Sequence, residues 1–149
     1  ETLQIAAHAA AALDANTDFL LANQYYTMAG PCTEMCLLET AAQAMTDTAS
    51  GRELLSGVAS SKGVIQDRTT GMEARMMGEV ALATCGLEVD DVNKIVDKVV
   101  SLYERDFNHA PQGKRFQECY DIREMEPSDE YVTLYDKTID LLGKCGLDM

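Results

Sequence analysis

Phe19-Leu20-Leu21-Ala22-Asn23-Gln24-Tyr25-Tyr26-Thr27-Met28-Ala29-Gly30-Pro31-Cys32-Thr33-Glu34-Met35-Cys36 is the stretch from which the fold of this chain is read. Its first four residues are apolar and lie between Asn16-Thr17-Asp18 and a pair of neutral amides, which predicts a short buried strand over Phe19–Ala22. Asn23, Gln24, Tyr25 and Tyr26 then sit at the carboxyl end of that strand. The Gly30-Pro31 turn breaks the chain, and a helix follows from Thr33. In α/β folds the carboxyl ends of strands are where ligands are met.

Working outward, Leu3 to Leu13 reads as an alanine-rich helix with Leu3, Ala6, Ala7, Ala10 and Leu13 on one face. Nearly all its residues are small or apolar, so packing on more than one side is expected. The helix from Thr33 runs to Met45, and Thr48-Ala49-Ser50-Gly51 ends it. Arg52 to Val58 is a second candidate strand, leading into the polar turn Ser60-Ser61-Lys62-Gly63. Thr70 and Glu73 have the spacing of a capping box, and the helix they open is stopped by Gly86. Val89, Val92, Val96, Val99 and Tyr103 recur at helical spacing, with Ile95 and Leu102 widening the stripe. A linker carrying Pro111 and Gly113 comes next. The last helix opens at Pro127-Ser128-Asp129-Glu130, with acidic residues at its positive end. Tyr131, Leu134, Tyr135, Thr138 and Leu142 share one face of it, and it closes near Gly146.

Strands alternating with helices argue for parallel βα units. Two strands do not close a sheet, and a two-stranded parallel sheet is open at both edges. The chain therefore reads as part of an α/β architecture, predominantly α by residue count. Residues 1–86 hold about two βα units, and residues 87–149 form a mainly helical tail.

The chain has 149 residues, enough for one core. Twelve Lys and Arg against 25 Asp and Glu leave a net charge of -13. Such a surface repels phosphate backbones and anionic lipid, so neither nucleic acid nor a membrane is an expected partner. An acidic surface also serves solubility generally. No stretch approaches the roughly 18 to 20 apolar residues that span a bilayer. Glu1 opens the chain with no initiating methionine and no signal pattern, so the expectation is a piece of something longer or a processed product. Five cysteines at irregular spacing fit free thiols in a reducing cytoplasm better than a disulfide framework.

The opening stretch also resembles the monomethylamine methyltransferases of methylotrophic methanogens, which have a nearly identical Asn-Gln-Tyr-Tyr segment followed by Gly-Pro-Cys-Thr-Glu-Met-Cys. Thr46-Asp47-Thr48-Ala49-Ser50-Gly51-Arg52-Glu53, Leu55 to Ser60, Thr69 to Val80 and Phe116 to Asp121 match as well. The resemblance spans the chain from end to end and falls on the final third of the family's length. It implies a (β/α)8 TIM barrel of which this is the C-terminal portion. It also implies a homo-oligomer and the transfer of a methyl group from monomethylamine to the Co(I) corrinoid of a separate corrinoid protein. The family's electrophile is a pyrrolysine upstream of this segment. The segment alone is therefore expected to be inactive and to bind no cofactor directly, the corrinoid coming from the partner. By the same resemblance, Gln24 falls on the glutamine that hydrogen-bonds the amine-bearing pyrroline ring.

Glutamine suits that role physically. It offers a carbonyl acceptor and two donors without a charge that would trap a proton. A buried amide that only satisfies loop backbone is the plainer alternative. Tyr26 shares a strand face with Gln24 by the period-two rule and is the second candidate. Asn23 reads as a turn former, and for both Tyr25 and Tyr26 the alternative to lining the cavity is packing with the hydroxyl tied off. Cys32 and Cys36, four apart, would share a helix face, but zinc takes four ligands and His8 and His109 follow no motif. Met72, Met76 and Met77 read as core, with an adaptable partner surface as the alternative. Arg75 and Glu79 are spaced for a surface ion pair. The competing reading of the whole chain is a non-catalytic module for helical oligomerisation or corrinoid-protein docking.

Overall fold

The computed structural model describes residues 2–149. Helix α1 (Thr2–Asn16) leads to strand β1 (Ala22–Tyr26), helix α2 (Glu34–Ala49), strand β2 (Leu54–Ala59) and helix α3 (Gly71–Thr84). Helix α4 (Val89–Tyr103) follows, then the one-turn helix α5 (Phe116–Cys119), strands β3 (Tyr120–Asp121) and β4 (Glu126–Pro127), and helix α6 (Asp129–Cys145).

The two βα units are present: β1 pairs with β2 in parallel, and α2 and α3 follow their strands. Helix α2 is the centre of the molecule. Every residue from Met35 to Met45 except Gln43 is buried, and α3, α4 and α6 all pack against it. Its start follows from local chemistry: the Thr33 hydroxyl accepts from the Cys36 N–H at 3.3 Å and donates to the Gly30 carbonyl at 2.7 Å. Helix α3 begins with the expected capping box between Thr70 and Glu73. Helix α6 is capped by Ser128 and ends on Gly146 in the left-handed conformation.

The first strand lies three residues later than the apolar run predicted. Phe19 and Leu20 are 68% and 84% exposed, and the ladder starts only where the Leu21 carbonyl accepts from the Glu53 and Leu54 N–H groups. Hydrophobicity marks surface that wants cover, but strand bounds follow the partner, and β2 pairs with Ala22–Tyr26. The amide pair is thus inside the strand rather than at its end. The second strand shifts likewise, from Arg52–Val58 to Leu54–Ala59. Helix α1 was expected to be covered on more than one side, yet only Ala10 of it is buried.

The buried stripe of α4 is Val92, Ile95, Val99 and Tyr103, whereas Val89 and Leu102 are exposed. The segment read as a plain linker is fastened down. The Gly30 N–H donates to the Pro111 carbonyl and the Lys114 N–H to the Pro31 carbonyl, both at 2.9 Å. No described helix is long and apolar enough to cross a membrane.

Candidate functional site

Strand β1 divides its side chains cleanly. Asn23, Tyr25 and Thr27 point toward α2: Asn23 Nδ2 donates to Asp47 at 2.7 Å, and the Thr27 hydroxyl lies 3.4 Å from the Cys36 sulfur. Gln24 and Tyr26 alternate to the opposite face, where both are exposed. Across the ladder they stand opposite Gly57 and Ala59, two residues that present little bulk. Gly63 closes over the Tyr26 ring so tightly that a Cβ there would sit 3.2 Å from Tyr26 Cε1. Among the described residues no hydrogen bond engages the Gln24 side chain or the Tyr26 hydroxyl. Both polar groups are therefore free for a ligand.

Behind this face the strand and its loop are held by buried carboxylates. Glu39 of α2 accepts from the Met28 and Ala29 N–H groups at 2.7 and 2.9 Å, fixing the loop that leaves β1. Asp47 accepts from Asn23 and pairs with Arg52 Nε at 2.7 Å. Burial pushes both carboxyls above their ordinary range, and these hydrogen bonds and the Arg52 charge pull the other way. Burial, then the Asp47 charge, raises the Tyr25 phenol, so it stays protonated. Farther off, Glu73 accepts from the Thr70 N–H at 2.7 Å, the Thr70 hydroxyl at 2.8 Å and the Tyr131 hydroxyl. Burial again raises its carboxyl.

The other expected residues fall elsewhere. Cys32 precedes the Thr33 cap with φ 58° and does not share a helix face with Cys36. Among the described residues no group of three His, Cys, Asp or Glu is placed to hold a metal. All five cysteines are free thiols. Met72 and Met76 are buried and Met77 packs against the core, as the core reading had it. Arg75 and Glu79 pair at 2.7 Å, and Tyr135 joins them, donating to Glu79 and lying under the Arg75 guanidinium. Two clefts, of about 410 and 300 Å³, open near the start of α2 and include neither Gln24 nor Tyr26. Sequence reasoning had no role for Asp47, Arg52 and Glu39. Asp47 and Arg52 lie in a stretch that carries the family resemblance, but nothing in it tells that they pair with each other and with the strand. Glu39 is marked only by its charge in an otherwise apolar or small-residue stretch.

Comparison with known proteins is unambiguous about kinship. A family model described as monomethylamine methyltransferase MtmB matches residues 1–147. Monomethylamine methyltransferase MtmB1 of Methanosarcina acetivorans is 60% identical over 147 residues, 99% of this chain and 32% of the relative. Monomethylamine methyltransferase MtmB2 of Methanosarcina barkeri is 61% identical with the same coverage. The crystal structure of the Methanosarcina barkeri MtmB superposes with a TM-score of 0.98 at 60% identity, covering all of this chain and 33% of that one. A crystal structure of a hydroxylamine complex of MtmB is equally similar. The chain spans about a third of the length of the curated relatives it matches. It belongs to the monomethylamine methyltransferase MtmB family.

Proposed function

We propose that this member of the family is the C-terminal part of an enzyme that moves the methyl group of monomethylamine to the Co(I) corrinoid of a separate corrinoid protein. Here it contributes two βα units of a (β/α)8 barrel and one wall of the substrate cavity. The observation that carries this reading is the open face of β1, on which Gln24 and Tyr26 stand exposed and unengaged on a strand anchored from behind. Family membership supports the substrate class, and the hydroxylamine complex of a relative supports a pocket for small nitrogen nucleophiles.

The electrophilic imine comes from a pyrrolysine upstream, and the corrinoid supplies the methyl acceptor. What this chain does is bind and orient. The Gln24 carbonyl oxygen accepts from an N–H of the amine, and its amide nitrogen donates to a neighbouring acceptor. Because the amide is neutral, it aligns a positively charged nitrogen without taking its proton. The Tyr26 hydroxyl, two residues on and on the same face, is a second neutral donor and acceptor. Tyr26→Phe removes that hydroxyl and keeps the ring against Gly63. The enzyme as proposed works in the cytoplasm as a homo-oligomer.

The test is methyl-corrinoid formation by the full-length enzyme carrying Gln24→Ala. A loss of at least ten-fold supports the assignment. A rate within two-fold of the parent overturns it.

A further inference from the structure

We propose that Asp47 positions Gln24, acting through the side chain of Asn23 and the irregular step in the ladder beside it. The inference rests on the reading of Gln24 given above. Asp47 is 3% exposed near the end of α2. Its carboxylate accepts from Asn23 Nδ2 at 2.7 Å and pairs with Arg52 Nε at 2.7 Å. Arg52 is tied back in turn, its backbone N–H donating to the Asp47 carbonyl at 3.2 Å and its guanidinium reaching the Ala22 carbonyl at 3.4 Å. Asn23 is also gripped from the partner strand, where the Ser56 hydroxyl donates to the Asn23 carbonyl at 3.0 Å.

The two strands change register at that point. Asn23 stands opposite Leu55, but Gln24 stands opposite Gly57, which leaves Ser56 as an extra residue. Gly57 takes φ +141°, a conformation that L side chains rarely adopt. A bulge re-aims the side chains next to it. The Gln24 side chain has no hydrogen bond of its own among the described residues, so the backbone at this step, which sets the direction of its Cα–Cβ bond, is the part of its aim that the chain fixes. A buried carboxylate with two short charge-assisted contacts is a stiff anchor for that backbone. Past the bulge the pairing of Tyr25 with Val58 and Tyr26 with Ala59 is regular. The clamp therefore sits at the one position where the strand could turn.

Asp47 is a positioning residue in this proposal, and the test separates aim from stability. In the full-length enzyme, methyl transfer and melting temperature are measured for Asn23→Ala, Gln24→Ala and the double variant. Asn23→Ala leaves the Asp47–Arg52 pair and its contact to the Ala22 carbonyl in place and cuts the link to the Asn23 side chain beside the bulge. The expected result is a loss of about ten-fold in kcat with KM little changed, while any fall in melting temperature from the uncovered Asp47 carboxylate should be the same in both backgrounds. In the Gln24→Ala background the same substitution should cost less than about two-fold, because there is no amide left to aim. Ser56→Ala, at an exposed position, is the second variant and should show the same dependence on Gln24. Equal losses in both backgrounds, or no loss for either variant in the parent, overturn the inference while the role of Gln24 stands. If Gln24→Ala alone is silent, the reading of Gln24 fails and the positioning role falls with it.

Discussion

Gln24 presents both halves of an amide from an exposed strand position, and no hydrogen bond engages that amide among the described residues. The hydrogen bond proposed from that amide to a charged nitrogen would contribute roughly 1.5 to 3 kcal/mol. Gln24→Ala in the full-length enzyme should then lower methyl transfer by about ten- to a hundred-fold. Folding should be nearly unaffected, since among the described residues the Gln24 side chain makes no hydrogen bond and is no part of the buried core. Gln24→Glu should keep substrate binding and lose turnover, because a carboxylate attracts an ammonium and retains its proton. Pre-steady-state methyl transfer beside equilibrium amine binding separates the two effects. Period-two alternation by itself puts Gln24 and Tyr26 on one face of the strand. Asn23, read as a turn former, is instead a strand residue tied to Asp47, a partner 24 positions away that no local pattern reveals.

Glu73 shows how one buried residue joins two elements. It completes the cap of α3 through Thr70 and accepts from Tyr131 of α6. Glu73→Ala should destabilise by about 3 kcal/mol, because the Thr70 N–H and the Tyr131 hydroxyl are left unpaired inside the protein. Glu73→Gln keeps an acceptor oxygen for Thr70 and turns its amide N–H toward the Tyr131 oxygen, and should cost less. The two variants also differ from the parent in pH dependence. Burial holds Glu73 above its ordinary value of 4.5, so the folded chain keeps this proton to higher pH than the unfolded chain. Its contribution is fully present below pH 4.5 and is lost as pH rises through the raised folded value. The stability difference between parent and Glu73→Gln should therefore fall as pH increases from about 4.5. Urea melts of both proteins across that range check the sign, and parallel curves would contradict it. The capping box was legible from Thr70 and Glu73 alone, but the Tyr131 contact was not.

For the molecule as a whole, contact between distant segments decides the shape. A Cβ on Gly30 would lie 1.8 Å from the Gln112 carbonyl oxygen, a backbone atom that cannot swing aside. Gly30→Ala should cost on the order of 2 to 4 kcal/mol by pushing residues 110–114 off the loop after β1, which differential scanning calorimetry reads directly. The 149-residue chain assayed alone with amine and corrinoid protein should form no methyl-corrinoid, since none of its side chains is an electrophile that an amine can add to. Hydrogen exchange on the same chain should be slowest in α2, whose backbone is buried, and fastest in α1 and around Phe19 and Leu20. Slow exchange at Phe19 would mean that this exposed apolar surface is covered by self-association.

The five longer helices were determined by the sequence itself, because capping residues, glycine stops and 3.6-residue stripes act within a few positions of one another. Helix α2 nevertheless runs on to Ala49, past the end read at Met45, and the four-residue α5 carried no such signal. Thr70 with Glu73, Ser128 and Gly146 sit where that chemistry put them. Alternation likewise assigned Gln24 and Tyr26 to one face whatever the strand's bounds. Tertiary structure alone decided where β1 begins, since a strand exists only against its partner, and β2 pairs with Ala22–Tyr26 rather than with the apolar run before it. It also decided the anchoring of the candidate site. Asp47, Arg52 and Glu39 reach β1 and its loop through space, and buried charges carry no periodic signal that would announce their partners.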